Sequence, residues 1–243
     1  LVKIYEALGV KAHGKVAVKI STGESGGNNY LKPPLIRNLV EKVDGTIVEC
    51  CTAYGGSRQD KAKHWETIHE HGFDSIFAVD IMDEFGHMQI PVKDTTWIKY
   101  DIVGDHLSKY NFCINLAHFK GHVMGGFGGV LKNQSIGFAS TEGKAYIHSH
   151  GVTDDPSKCW QYTRPQDAFL ESMASAAQGI ADYFGKGNIV YINVLNNISI
   201  DCDCDAHPHA PEIQDIGIVA STDPIACDRA AYDLLYQVKK DEN

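Results

Sequence analysis

The segment VAVKISTGESGGNNYLKPPLIRNLVEKVDGTIVECC, residues 16–51, decides the fold. Two short runs rich in Val and Ile, residues 16–21 and 46–51, predict strands. Between them, residues 33–43 place their apolar side chains on one face of a helix, and Pro33 suits its first turn. Because strand, helix and strand follow one another, the segment predicts parallel strands joined by a right-handed crossover.

The same alternation continues along the chain. Residues 59–70 predict a helix and residues 75–80 a strand, and residues 82–97 are interpreted as an irregular excursion with a β-hairpin. Farther along, the pattern predicts strands over 110–117, 188–200 and 216–220 and helices over 165–184 and 224–238. We therefore predict an α/β fold with a mostly parallel sheet built from βαβ units and flanking helices. A single domain over 1–243 is expected, and two lobes, 1–109 and 110–243, are the alternative division.

The composition is that of an ordinary globular protein, with 43% hydrophobic and 22% charged residues and a formal net charge of −9. This charge, without any cluster of Lys and Arg, argues against a nucleic-acid partner. No apolar run approaches the roughly 20 residues that a membrane-spanning helix needs, so no membrane association is expected. A cytoplasmic location is the default expectation.

The seven cysteines are an odd number, and Cys50 and Cys51 are adjacent. This pattern favours free thiols in a reducing compartment over a disulfide framework. The sequence contains no Cys-x-x-Cys, so it has no ferredoxin-type four-iron–four-sulfur motif and no thioredoxin-type motif.

The run DCDCDAHPH, residues 201–209, concentrates two thiols, three carboxylates and two imidazoles directly after a predicted strand. In an extended segment Cys202 and Cys204 project to the same face, where they are candidate ligands for a transition metal such as Zn, Fe or Ni. Asp201 and Asp203 are candidates for acid–base chemistry or for support of the ligands. The alternative is a loop in which the carboxylates cap turns and the thiols fill small apolar gaps.

The run HFKGHVMGGFGGVLKN, residues 118–133, is the second chemistry-bearing segment. His118 and His122 are candidate metal ligands, and Lys120 is a candidate catalytic group. The glycines allow backbone amides to approach an anion closely, and Lys132 supplies charge. The glycines predicted to bind this anion are Gly125, Gly126, Gly128 and Gly129. Structural roles, a satisfied imidazole or a tight backbone crossing, remain open for the histidines and glycines.

Three loops, residues 21–29, 52–58 and 118–129, follow predicted strands. If these strands share one parallel sheet, the loops converge at its carboxyl edge, where open α/β sheets bind ligands. Arg58, in the second loop, suits bidentate recognition of a carboxylate or phosphate, with a surface ion pair as the alternative.

Several segments resemble the bacterial and archaeal family named domain of unknown function 362, whose members are often labelled uncharacterised iron–sulfur centre proteins. The matching segments, besides residues 52–58, are VAVKISTGESGGNNYLKP (16–33), HFKGHVMGGFGGVLKNQSIG (118–137), FLESMA (169–174), YINVLNNISIDCDC (191–204) and DIGIVASTDPIACD (215–228). Many members carry ferredoxin-like cysteine motifs before the FLESMA-like helix, where this chain has only Cys159. The resemblance also implies a further C-terminal segment. The histidine- and glycine-containing loop is distantly similar to that of lactate-racemase-like proteins, which use a nickel-pincer cofactor.

Three functional hypotheses follow. In the first, a metal- or cofactor-assisted site binds a small anionic metabolite or cofactor and carries out redox or isomerase-like chemistry. In the second, the chain is a non-catalytic accessory protein that binds a cofactor or a redox-partner protein and lacks the clusters of its relatives. This hypothesis expects an exposed apolar patch near residues 151–165 and no closed pocket. In the third, the cysteine run holds a structural zinc ion.

Overall fold

A computed structural model describes residues 1–241 of the chain. Its core is a six-stranded sheet of β1 (Val16–Lys19), β2 (Gly45–Glu49), β3 (Val79–Ile81), β6 (Phe112–His118), β9 (Ile189–Leu195) and β10 (Gly217–Ser221), in the order β10-β9-β6-β1-β2-β3. The first five strands run parallel, and β10 pairs antiparallel with β9. The predicted α/β class and mostly parallel sheet are confirmed. Strands from both halves of the sequence enter this one sheet.

Helices cover both faces of the sheet. They are α1 (Val2–Ala7), α2 (Pro33–Lys42), α3 (Lys61–Glu70), α4 (Val130–Phe138), α5 (Thr141–His148), α6 (Gln166–Phe184) and α7 (Pro224–Asp241). Successive side chains of β1 face opposite sides of the sheet. Val16 and Val18 pack in the core on one face with Leu39 of α2, whereas Ala17 packs in the core on the other face with Val130 of α4. The strands are therefore buried on both faces, as parallel strands usually are.

Two small ribbons lie outside the main sheet. The segment interpreted as an excursion with a hairpin contains β4 (His87–Pro91), which pairs antiparallel with β5 (Tyr100–Gly104). In the glycine-rich segment, β7 (Lys120–His122) pairs antiparallel with β8 (Gly126–Gly128), and Gly126, the first residue of β8 after the turn, adopts a positive φ of 75°. The glycines thus form a short hairpin.

Several elements differ from the sequence predictions, which also lacked helices α1 and α5. The strand predicted over 75–80 is β3, which begins only at Val79, after turns. The strand predicted over 188–200 ends at Leu195, so the cysteine run lies in the following loop. Helix α4 was not predicted, because its N-terminal Gly129 provides no capping side chain. The Asp228 carboxylate caps it instead, accepting from the amides of Val130 (2.7 Å) and Leu131 (3.0 Å).

Within residues 1–241, no helix combines the length and the apolar character that crossing a membrane requires.

Candidate metal centre and anion cavity

The carboxyl ends of four neighbouring parallel strands carry the candidate site. Lys19 ends β1, Glu49 ends β2 and His118 ends β6, while the loop after β9 brings in the cysteine run. The loops following these strands therefore meet at one edge of the sheet, as the sequence predicts for an open α/β sheet.

Cys202 and Cys204 lie on a tight turn, closed by a hydrogen bond of 3.0 Å from the Asp205 amide to the Cys202 carbonyl. The prediction of an extended segment was therefore wrong, but the two sulfur atoms still converge. One donor atom each from His122, Cys202 and Cys204 lie within 4.8 Å of one another. Two thiols and one imidazole are the donor set of thiophilic metals such as zinc.

Asp203, between the two cysteines, is buried and contacts the β6 and β7 segment. Its carboxylate accepts from His118 Nδ1 at 2.7 Å and from Lys120 Nζ at 2.8 Å, and it is almost fully buried. Burial alone would raise its pKa, but His118 and Lys120 hold the pKa of Asp203 far below its usual range. Because Lys120 and His122 are two residues apart on β7, this ion pair fastens the strand bearing the imidazole to the turn bearing the thiols.

Gly121 lets the β7–β8 hairpin approach the same loop. Its amide donates to the Ser199 carbonyl at 2.8 Å, and a Cβ at this position would lie only 2.2 Å from the Ile200 carbonyl oxygen. Any other residue would push the hairpin outward, so the glycine is needed for His122 to reach the cysteines.

The two predicted histidine ligands lie in different environments. Both ring nitrogens of His118 have partners, since Nδ1 contacts Asp203 and Nε2 lies 2.6 Å from the Asn196 carbonyl oxygen. His118 does not belong to the group formed by His122, Cys202 and Cys204, and it supports the turn through Asp203. In His122, Nδ1 accepts from the Gly125 amide at 2.9 Å, which places the proton of the neutral ring on Nε2. Burial, with a contribution from Lys132, lowers the pKa of His122 to about 3, so the ring is neutral.

Behind the cysteines lies a small cavity of about 50 Å³, which we call the inner cavity. Five cationic side chains and one carboxylate line it, together with Cys202, Cys204 and the backbone of Gly128 and Gly129. The charged side chains are Lys19, Arg58, Lys120, Lys132, Lys144 and Glu49. A cavity with this charge excess suits a small anion.

Three of the lysines lining the inner cavity hydrogen-bond without a carboxylate partner in the described chain. Lys19 Nζ donates to the Ile20 carbonyl and to Asn133 Oδ1 (3.2 Å), Lys144 Nζ to the Ala139 carbonyl, and Lys132 Nζ to Cys202 Sγ (3.4 Å). Gly137 makes room for the Lys19 side chain, because a Cβ at position 137 would lie 2.7 Å from Lys19 Nζ. Burial lowers the pKa of Lys19 to about 8.

Arg58, in contrast, is fully paired. Its guanidinium contacts Glu49 at 2.6 Å and Glu24 at 3.3 Å, and Glu49 also lies 3.1 Å from His64 Nε2. Arg58 borders the inner cavity, but its side chain is only 3% exposed. The two carboxylates that neutralise its charge are buried side chains of the protein itself. Burial opposes ionisation of Glu49, but Arg58 and His64 keep the pKa of Glu49 far below its usual value.

On the other side of the cysteines lies a larger depression of about 790 Å³, the outer cleft. Tyr54, Cys202 and Cys204 border both spaces, so the thiols stand between them. Asp201 also borders the outer cleft and contacts His209 Nδ1 at 2.6 Å. The remaining predicted residues, Gly125 and Gly126, lie at the hairpin turn.

His148 in α5 was missed as a site residue. It borders the outer cleft, is only 4% exposed, and its Nδ1 lies 2.6 Å from the Lys144 carbonyl oxygen. Burial lowers its pKa to about 4, so the ring is neutral with its proton on Nδ1. The His-x-His pattern at 148 and 150 was a signal, but nothing local indicated that α5 would be buried.

The two thiols differ in acidity. A hydrogen bond from Cys204, opposed by burial and aided by Lys132, lowers the pKa of Cys202 well below its usual value. The same hydrogen bond, together with burial, raises the pKa of Cys204. Cys202 is therefore the thiolate of the pair, and Cys204 holds the proton.

Comparison with known proteins places the chain in a family and a fold. The fold is similar to that of the lactate racemase apoprotein from Thermoanaerobacterium thermosaccharolyticum, with a TM-score of 0.54 and 12% identity over 93% of this chain and 50% of that protein. The chain thus spans half the length of that structure, and at this identity the likeness concerns the fold alone. No curated protein matches the sequence. Residues 16–233 match the model described as domain of unknown function, DUF362, and the chain belongs to this family.

Proposed function

We propose that the chain binds a thiophilic divalent metal ion through His122, Cys202 and Cys204 and holds a small anionic metabolite in the inner cavity. The observation that carries the proposal is the convergence of these three donor groups at a cavity lined mainly by cations. Three protein ligands without a fourth are the arrangement of catalytic rather than structural zinc.

The ligand set suits this class of metal once His122 Nδ1 releases the Gly125 amide, because the ring must present a nitrogen that carries neither a proton nor that hydrogen bond. Among the residues that the structure describes, no fourth His, Cys, Asp or Glu joins the group. A bound metal would supply a Lewis acid beside the anion. Lys132, in contact with Cys202, would offset the charge of the two thiolates, and Asp203 would hold the turn in place through Lys120.

Arg58 does not belong to the anion-binding set in this proposal, because two carboxylates already neutralise it. The anion would instead be held by Lys19 and Lys144, whose hydrogen-bonding partners are uncharged oxygens, together with Lys132, which also contacts the Cys202 thiolate. A divalent oxyanion or a small carboxylate matches the size and charge of this space.

The test is a titration of metal-free protein, purified without an affinity tag, with Co²⁺ and Zn²⁺. Wild-type protein should bind one ion per chain with the absorption of a cobalt–thiolate bond. Cys202→Ser, Cys204→Ser and His122→Ala should each weaken binding by about tenfold or more. The matched controls are Cys159→Ser, which removes a buried thiol elsewhere, and His69→Ala, which removes an exposed imidazole. Equal metal uptake by wild type and the three ligand variants would reject the proposal.

The accessory-protein hypothesis has one observation in its favour. The segment 151–165 exposes Val152 (52%), Tyr162 (40%) and Trp160 (39%), as a partner-binding patch would. If the chain serves a partner in this way, replacing Trp160 and Tyr162 with Ser should abolish co-purification with that partner while Co²⁺ binding is retained. Loss of Co²⁺ binding in that variant would count against a separate docking role.

A further inference from the structure

We infer that Cys202 and Cys204 form a dithiol centre that reduces small disulfides, in a reaction that converts the pair into an internal disulfide. The inference concerns two residues of the proposed metal centre, but it does not require that a metal binds there. It assigns an additional activity to the same turn.

The first observation is selectivity among the thiols. All seven cysteines are free, and Cys202 and Cys204 are the two that are not fully buried among residues 1–241. The other five lie in the core, where a disulfide reagent does not reach them.

The second observation is the geometry of the pair. The sulfur atoms lie within 4.8 Å of each other. The two residues flank Asp203 on a turn closed by the Asp205 amide and the Cys202 carbonyl. Residues two apart in such a turn have Cα atoms roughly 5.5 Å apart, which is within the range of disulfides. Closure therefore requires rotation of the side chains and little movement of the backbone.

The third observation is access and charge. Both cysteines border the outer cleft of about 790 Å³, which has room for a small disulfide. The Lys132 ammonium lies 3.4 Å from Cys202 Sγ, on the inner side, where it stabilises negative charge on that sulfur. Cys202 is therefore the attacking group, and Cys204 resolves the intermediate.

The Cys202 thiolate attacks one sulfur of a low-molecular-weight disulfide RSSR, forms a mixed disulfide and releases RS⁻, which takes a proton from solvent. Cys204 then loses its proton to solvent and attacks Cys202 Sγ, which breaks the mixed bond and releases a second RS⁻. The two cysteines are oxidised by two electrons in total, and RSSR is reduced to two thiols.

The test uses the full chain, reduced and freed of metal with a chelator, in buffers of defined glutathione to glutathione-disulfide ratio. The protein is then denatured, and the remaining thiols are alkylated and located by mass spectrometry of the peptides. As the ratio becomes more oxidising, the number of alkylated thiols should fall from seven to five in one step, with both losses at Cys202 and Cys204. Cys159→Ser should lose the same two thiols. Cys204→Ser should stop at a mixed disulfide between Cys202 and glutathione.

Retention of all seven thiols, or oxidation that begins at the buried cysteines, would overturn the inference. The outcome is separate from that of the metal titration. A protein that forms the internal disulfide but binds no Co²⁺ would reject the proposed metal site alone. A protein that binds Co²⁺ but resists oxidation in its metal-free form would reject the dithiol alone.

Discussion

Two buried ionic clusters lie side by side at the carboxyl edge of the sheet, and they are neutralised in different ways. In the Arg58 cluster, which consists of Glu24, Glu49, Arg58 and His64, each carboxylate faces a cation of the protein. In the lysine cluster, which consists of Lys19, Lys132 and Lys144, the first and last contact carbonyl or amide oxygens and only Lys132 contacts an anionic group, the Cys202 thiolate. The first cluster closes on itself and is structural. The second carries charge that a bound anion would neutralise.

The largest effect should come from breaking the closed cluster. Glu49→Gln leaves the Arg58 guanidinium short of a buried partner, and we expect a loss of about 3–5 kcal/mol in the free energy of unfolding. Urea denaturation at pH 7 measures this loss. Glu66→Gln, on the exposed side of α3, is the matched control and should change stability by less than about 0.5 kcal/mol. A small loss in Glu49→Gln would show that the cluster contributes little to folding.

The same cluster predicts how stability responds to acid. In the folded protein the pKa of Glu49 lies below its ordinary value of 4.5. The ionised Glu49 side chain therefore contributes its full share to the free energy of unfolding at pH values above 4.5. The contribution is lost as the pH falls through the acid range, because the unfolded chain takes up the proton first. Wild-type protein should therefore lose more stability between pH 5 and about pH 3 than Glu49→Gln does.

A smaller effect of opposite sign should come from Lys19 in the lysine cluster. Burial lowers its pKa from 10.5 to about 8, so the folded protein loses this proton before the unfolded chain does. Stability should rise as the pH increases from about 8 to 10.5, by about 3 kcal/mol for a shift of this size. Lys19→Met should remove the rise, whereas Lys3→Met, on the exposed side of α1, should keep it. Parallel pH profiles for wild type and Lys19→Met would contradict this account of the cluster.

The two clusters also differ in how far the sequence revealed them. The strands and α2 were predictable because their signals are local, in the VAVKI and TIVECC runs and the proline-led helix between them. Lys120, Lys132 and Arg58 were singled out because they stand in glycine-rich loops. Lys19 was missed, although a lysine inside a strand that is buried on both faces is itself a signal.

The metal group shows a different limit of sequence reasoning. The cysteines converge through a turn and not through the alternation of a strand, so their proximity was expected from the wrong geometry. His118 and His122 looked equivalent in sequence, and only the long-range contact of His118 with Asp203, 85 residues away, separates them. Helix α4 depends likewise on Asp228, which is 98 residues from the amide that it caps.

The smallest effect, and the one that separates the clusters most directly, is stabilisation by an added anion. If the lysine cluster binds oxyanions, phosphate or sulfate at 100 times its dissociation constant should stabilise the fold by about 2.7 kcal/mol at constant ionic strength set with chloride. Lys132→Met should abolish this gain. Lys93→Met, which removes an exposed lysine paired with Asp182, should leave it intact. Equal stabilisation of wild type and Lys132→Met would mean that the anion acts elsewhere. The inner cavity would then be only a polar gap between two helices and the sheet, and the contrast with the Arg58 cluster would lose its functional meaning.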